Sequence, residues 1–105
     1  MDTPNLSYIN ELSGGDETFK NKLITIVKNE FPEEKAQYYY HLKTKNYSIL
    51  AENVHKIKHK ISILGLESSY RLAETYENNL KNNSLTGYDA FEEILKKITD
   101  YLETL

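Results

Sequence analysis

The sequence predicts an all-α fold, an antiparallel up-and-down four-helix bundle with a short N-terminal helix. Three observations predict it. Apolar residues recur at three- and four-residue spacing through most of the chain. Only two prolines and four glycines interrupt that pattern. No alternating apolar–polar stretch is long enough to suggest a useful strand. Helices joined by short loops become antiparallel neighbours, which favours the up-and-down order. At 105 residues, 39% of them hydrophobic, the chain is expected to form one domain over 1–105 around a single core.

The first helix is expected from Pro4 to Leu12, with Leu6, Ile9 and Leu12 on one side, ended by Gly14-Gly15. Asp16 suits the N-cap of a second helix. Phe19, Leu23, Ile26 and Val27 give that helix an i, i+4, i+7, i+8 packed face. Pro32 either kinks it or begins a new helix. The segment to Lys45 keeps helical character through Ala36, Leu42 and Tyr38-Tyr39-Tyr40, whose phase the pattern leaves open. Asn46 is a plausible cap for the next helix, expected over about Tyr47 to Leu64. Its core stripe is Leu50, Val54, Ile57, Ile61 and Leu64, and Gly65 suits its end. Ser69, Leu72, Ala73, Tyr76 and Leu80 form the inner face of the following helix. After a loop at Asn82-Asn83-Ser84 and Gly87, Phe91, Ile94, Leu95, Ile98, Tyr101 and Leu102 mark the last one.

With the stripe of the Tyr47 helix turned inward, His55 lies roughly 140° from its centre at about 100° per residue. His59 is nearly opposite the core, Ser62 is on the outer side, and Lys58 sits at the flank one turn after His55. An exposed neutral imidazole keeps a nitrogen lone pair near pH 7. That nitrogen can attack an activated phosphoryl group, and Lys58 can offset part of the phosphate charge.

The ordered motifs carry a resemblance. Leu12-Ser13-Gly14-Gly15-Asp16-Glu17 followed by Phe19, then Phe31-Pro32, Val54-His55-Lys56-Ile57-Lys58, Leu64-Gly65, Ala73 and Tyr76-Glu77 resemble, in order and spacing, the histidine-containing phosphotransfer (HPt) domain family over nearly the whole chain. The central segment fits that family's A-H-x-L-K pattern. The resemblance implies a phosphorelay carrier. His55 would accept a phosphoryl group from a receiver-domain aspartyl phosphate and pass it to another receiver, with Lys58 supporting the phosphate. It implies response-regulator receiver domains and a hybrid histidine kinase as partners. No cofactor of its own is implied, with Mg²⁺ on the partner receiver, and no autonomous kinase activity. Receiver docking is expected around Ala51, His55, Lys58, His59 and Ser62, on the outward side of one helix. His59 and Lys60 stand where the family usually has Gly and Ser. His59 either crowds the approaching receiver or hydrogen-bonds the phosphate, and an active variant is the favoured reading. The alternative is a noncatalytic HPt-like module that binds receivers without transfer.

Other chemistries find less support. The absence of Cys removes disulfides and thiolate chemistry. His55 and His59 have the i, i+4 spacing of a metal pair, but two ligands are not a site, no H-E-x-x-H pattern is present, and nothing shows that His41 converges with them. Gly14-Gly15 lacks a phosphate-loop context. A formal charge of −3 argues against nucleic-acid binding, and Lys56, Lys58 and Lys60 read as a solvated face. Most of the nine tyrosines read as core-edge and interface residues. No signal-peptide features and no run near the roughly 20 residues of a membrane span are evident. A cytoplasmic, free-standing monomer is expected.

Overall fold

The computed structural model describes residues 2–105 and contains five helices, with no strand among the described residues. They are α1 (Ser7–Ser13), α2 (Glu17–Lys43), α3 (Tyr47–Ile63), α4 (Glu67–Lys81) and α5 (Tyr88–Leu102). The four long helices form the bundle. Paired residues give their directions. On α2 and α3, His41 meets Asn53 while Glu34 meets Lys60. On α2 and α5, Tyr39 meets Glu92 while Lys35 meets Thr99. In both pairs the numbers run in opposite senses, so the neighbours are antiparallel. Apolar side chains of all four helices fill one core, from Phe31 and Tyr38 through Val54, Ile57 and Ile61 to Tyr76, Phe91 and Ile98. At its centre the Tyr38 and Tyr76 hydroxyls lie 2.8 Å apart, which gives two fully buried rings a shared polar contact.

Asp16 caps α2 as expected, accepting from the Phe19 N–H at 3.1 Å. Pro32 does not begin a new helix; it lies inside α2, which runs unbroken from Glu17 to Lys43. The 27-residue helix outruns its neighbours: Lys28 already reaches the last residue, Leu105, so the turns before it lie past the end of α5. Of the expected packed face, Val27 is therefore buried and Leu23 half-buried, whereas Phe19 and Ile26 are exposed. On α4, Leu72 is exposed rather than inward.

The N-terminal segment departs most from expectation. The helix begins at Ser7, not Pro4, because Asn5 is engaged elsewhere. Its N–H donates to the Leu64 carbonyl at 2.9 Å, and its Oδ1 accepts from the Ser7 N–H at 3.0 Å. Ile9 alone of the three expected apolar residues is fully buried. Three-residue spacing turns Leu6 and Leu12 about 120° apart, so they do not share a face. Residues 2–6 instead form a strap across the end of the bundle. The Asp2 carboxylate accepts from the Ser69 N–H at 3.1 Å and the Ser69 hydroxyl at 2.9 Å. It thereby supplies α4 with the cap that Leu66, at the N-cap position, has no side chain to provide. Gly65 takes φ +74° beneath the strap, and a Cβ there would fall 2.6 Å from Asn5 Nδ2.

Candidate functional site

α3 starts at its Asn46 cap, whose side chain accepts from the Ile49 N–H at 3.3 Å. The helix then runs between α2 and α4. Two neighbours widen its buried arc beyond the five-residue stripe. At about 100° per residue, Ala51 and Lys58 fall on the α4 edge of that arc, and Asn53 and Lys60 on the α2 edge. All four are buried. His55, His59 and Ser62 lie beyond the arc and are exposed.

Three expectations are corrected here. Ala51 is 2% exposed, so it is not an outward docking residue; its methyl lines the floor of a groove between α3 and α4. Lys58 is not a free flanking cation. Its side chain is 8% exposed, its Nζ lies 2.9 Å from Glu77 Oε1, and it sits over the Tyr70 ring at 5.2 Å. The lysines do not form one solvated face either. Lys60 is buried between Glu30, at 2.9 Å, and Glu34, at 3.1 Å, and only Lys56 of the three is exposed.

Glu77 joins these groups. It stands on the inner face of α4 at four and three residues from Ala73 and Leu80, and only 6% of its side chain is exposed. One carboxylate oxygen meets Lys58. The other lies 3.2 Å from His55 Nδ1 and 3.3 Å from Lys81 Nζ. Burial works against the charged form of Glu77, but the Lys58 and Lys81 ammonium groups outweigh it and hold the carboxyl below its ordinary range. Burial likewise disfavours the Lys58 ammonium, and Glu77 more than offsets it, so Lys58 stays charged above its ordinary range. Removing one partner of such a buried pair costs about 3–5 kcal/mol. The Lys81 contact, with a side chain 59% exposed, is worth about 0–1 kcal/mol. Lys58 is therefore fixed and Lys81 is free to move.

His55 itself is 55% exposed at the rim of the α3–α4 groove, a concavity of about 570 Å³ whose lining includes Ser48, Ala51, Lys56, Leu80 and Lys81. An anionic carboxylate beside Nδ1 favours the tautomer with the proton on that nitrogen. The lone pair then sits on Nε2. His59 stands beside His55 with ring centroids 5.2 Å apart at 72°. Ser62 is seven residues on, about 10 Å along the axis, and lines a separate hollow with Tyr8 and Tyr70 of the α1 end. It does not join the His55 groove. His41 is turned to Asn53, at 2.7 Å, on the α2 side of α3. No group of three or more His, Asp or Glu that could hold a metal occurs among the described residues.

In the sequence Glu77 stands out only as part of the Tyr76-Glu77 motif, which assigns it no role. The signal that could have found it is an acidic residue in a core stripe, at i+4 from Ala73. No helix among the described residues is long and apolar enough to cross a membrane. No known family model, curated protein or solved structure matches this chain.

Proposed function

We propose that the protein is a phosphorelay carrier of the HPt type, with His55 as the phosphoacceptor. The observation that carries this reading is the buried Glu77 carboxylate behind the Nδ1 edge of an exposed imidazole. It leaves Nε2 as the nucleophilic atom of a ring that α3 holds 55% exposed. In the proposed step Nε2 attacks the phosphorus of a receiver's aspartyl phosphate. The Nε2–P bond forms, the P–O bond to the aspartyl carboxylate breaks, and that carboxylate leaves with the electron pair. The ring keeps its Nδ1 proton, and Glu77 balances the charge that the ring gains. The reverse step hands the group to another receiver. Mg²⁺ belongs to the receiver, where it neutralises charge on the transferred group. The upstream donor would be a hybrid histidine kinase acting through its receiver.

One observation favours the second reading, a docking module that binds receivers without transfer. Lys58, the expected phosphate support, is committed to Glu77. The experiment that separates the two is incubation with a phosphorylated receiver domain. A carrier takes up acid-labile phosphate in the wild type and none in His55→Ala. A docking module binds the receiver and takes up none in either.

A further inference from the structure

We infer that Lys81, not Lys58, is the cation that meets the phosphoryl group on His55. The inference deepens the phosphoacceptor reading of His55 and rests on it. Lys81 Nζ and His55 Nδ1 approach the same carboxylate oxygen of Glu77, at 3.3 and 3.2 Å, so the ammonium and the imidazole share one acceptor. Lys81 and His55 also line the same groove. A phosphoryl group on the His55 ring adds negative charge at the rim of this groove and attracts a mobile cation nearby.

The two lysines around Glu77 differ in what that movement requires. Lys58 is enclosed, with Glu77 on one side and the Tyr70 ring on another. Drawing it out would leave Glu77 buried without its inner partner. Lys81 is exposed and sits in the last turn of α4, and it gives up only a solvent-screened contact. Its four-carbon stem and three ammonium donors suit a point-charge contact to phosphate oxygens. Lys56 also lines the groove, but α3 carries it on the far side of His55 from Glu77, and it has no contact with the shared oxygen. Lys58 then acts as a positioning residue that keeps Glu77 charged and in place.

The test uses the full chain and phosphoramidate, a small donor that transfers its phosphoryl group to histidine with release of ammonia. Phosphorylation of His55 is followed by ³¹P NMR in the wild type, Lys81→Ala, Lys81→Arg and Lys58→Met. Lys81→Ala is expected to slow uptake about threefold to tenfold. It should also flatten the fall of the rate with added NaCl, because the screened charge is gone. Lys81→Arg should restore both the rate and the salt dependence. Lys58→Met should lower the unfolding midpoint while its rate keeps the wild-type salt dependence. An unchanged rate and salt slope in Lys81→Ala overturns the role of Lys81 and leaves His55 standing. Loss of the salt slope in Lys58→Met but not in Lys81→Ala returns the role to Lys58. A wild type that takes no phosphate from phosphoramidate or from a phosphorylated receiver overturns the reading of His55, and that of Lys81 with it.

Discussion

Replacing Glu77 with Gln keeps its shape and removes the negative charge shared by Lys58, Lys81 and the Nδ1 edge of His55. Two effects follow. The buried Lys58 loses its counter-charge, which should cost about 2–4 kcal/mol in urea unfolding. The His55 ring loses its tautomer bias, so phosphate uptake should fall about tenfold. Ring ¹⁵N shifts would report the second effect directly, as a move from one dominant Nδ1–H form to a mixture. The pH dependence has a definite sign. The folded pKa of Glu77 is lowered, so its stabilisation is complete above the ordinary 4.5 and is lost as pH falls through the lower folded value. The folded pKa of Lys58 is raised, so its share is complete below the ordinary 10.5 and is lost only as pH rises past the folded value. The stability gap between wild type and Glu77→Gln should therefore be flat through neutral pH and narrow in acid. His55 was legible in the sequence because its Cβ direction alone sets it outside the buried arc. Lys58 was not. A long side chain rooted at the edge of that arc turns inward when a buried carboxylate receives it.

Helix α3 shows why a stripe can be read while its edges are missed. Leu50, Val54, Ile57, Ile61 and Leu64 are all buried, as their spacing requires. Ala51 is buried too, because α4 covers a flank that a single-partner wheel leaves open. Ala51→Arg is consequently a core substitution, not a surface one. It should destabilise the protein by about 2 kcal/mol or more through overpacking. A wild-type unfolding midpoint in this variant would contradict the packing described for the α3–α4 groove. Helix α4 depends on a residue from the far end of the sequence. Asp2→Ala removes the cap on Ser69 and should cost about 1–2 kcal/mol at neutral pH. Burial opposes ionisation of Asp2, yet the Ser69 hydrogen bonds, with help from Ser68 and Lys97, hold its pKa down at about 2 against an ordinary 3.8. The contribution is thus complete above about pH 3.8 and disappears as pH falls toward 2. Thermal melts of wild type and Asp2→Ala should differ by about 4–8 °C per kcal/mol at pH 7 and converge in that acid window. No local pattern announces this cap, since its two partners lie 67 residues apart.

At the scale of the molecule, periodicity and short loops were enough to specify five helices and their antiparallel order. The overhang of α2 was not readable, because an apolar residue on a helix shows which way it faces and not whether a neighbour reaches it. Phe19 and Val27 belong to one stripe and end up on opposite sides of that question. The site is legible in the same uneven way. The exposed histidine follows from one helix alone, whereas the Glu77 hub needs α3 and α4 together, with Lys81 arriving from the end of α4. The central claim is that this packing makes Nε2 of His55 a phosphoacceptor. Its most direct test is the position of the phosphoryl group after the chain has met a phosphorylated receiver domain, read by ³¹P–¹H correlation NMR and peptide mass spectrometry at alkaline pH. The account predicts a single phosphoramidate bond on Nε2 of His55, absent from His55→Ala. Phosphate on Nδ1 of His55, on His59, or on neither ring would contradict it.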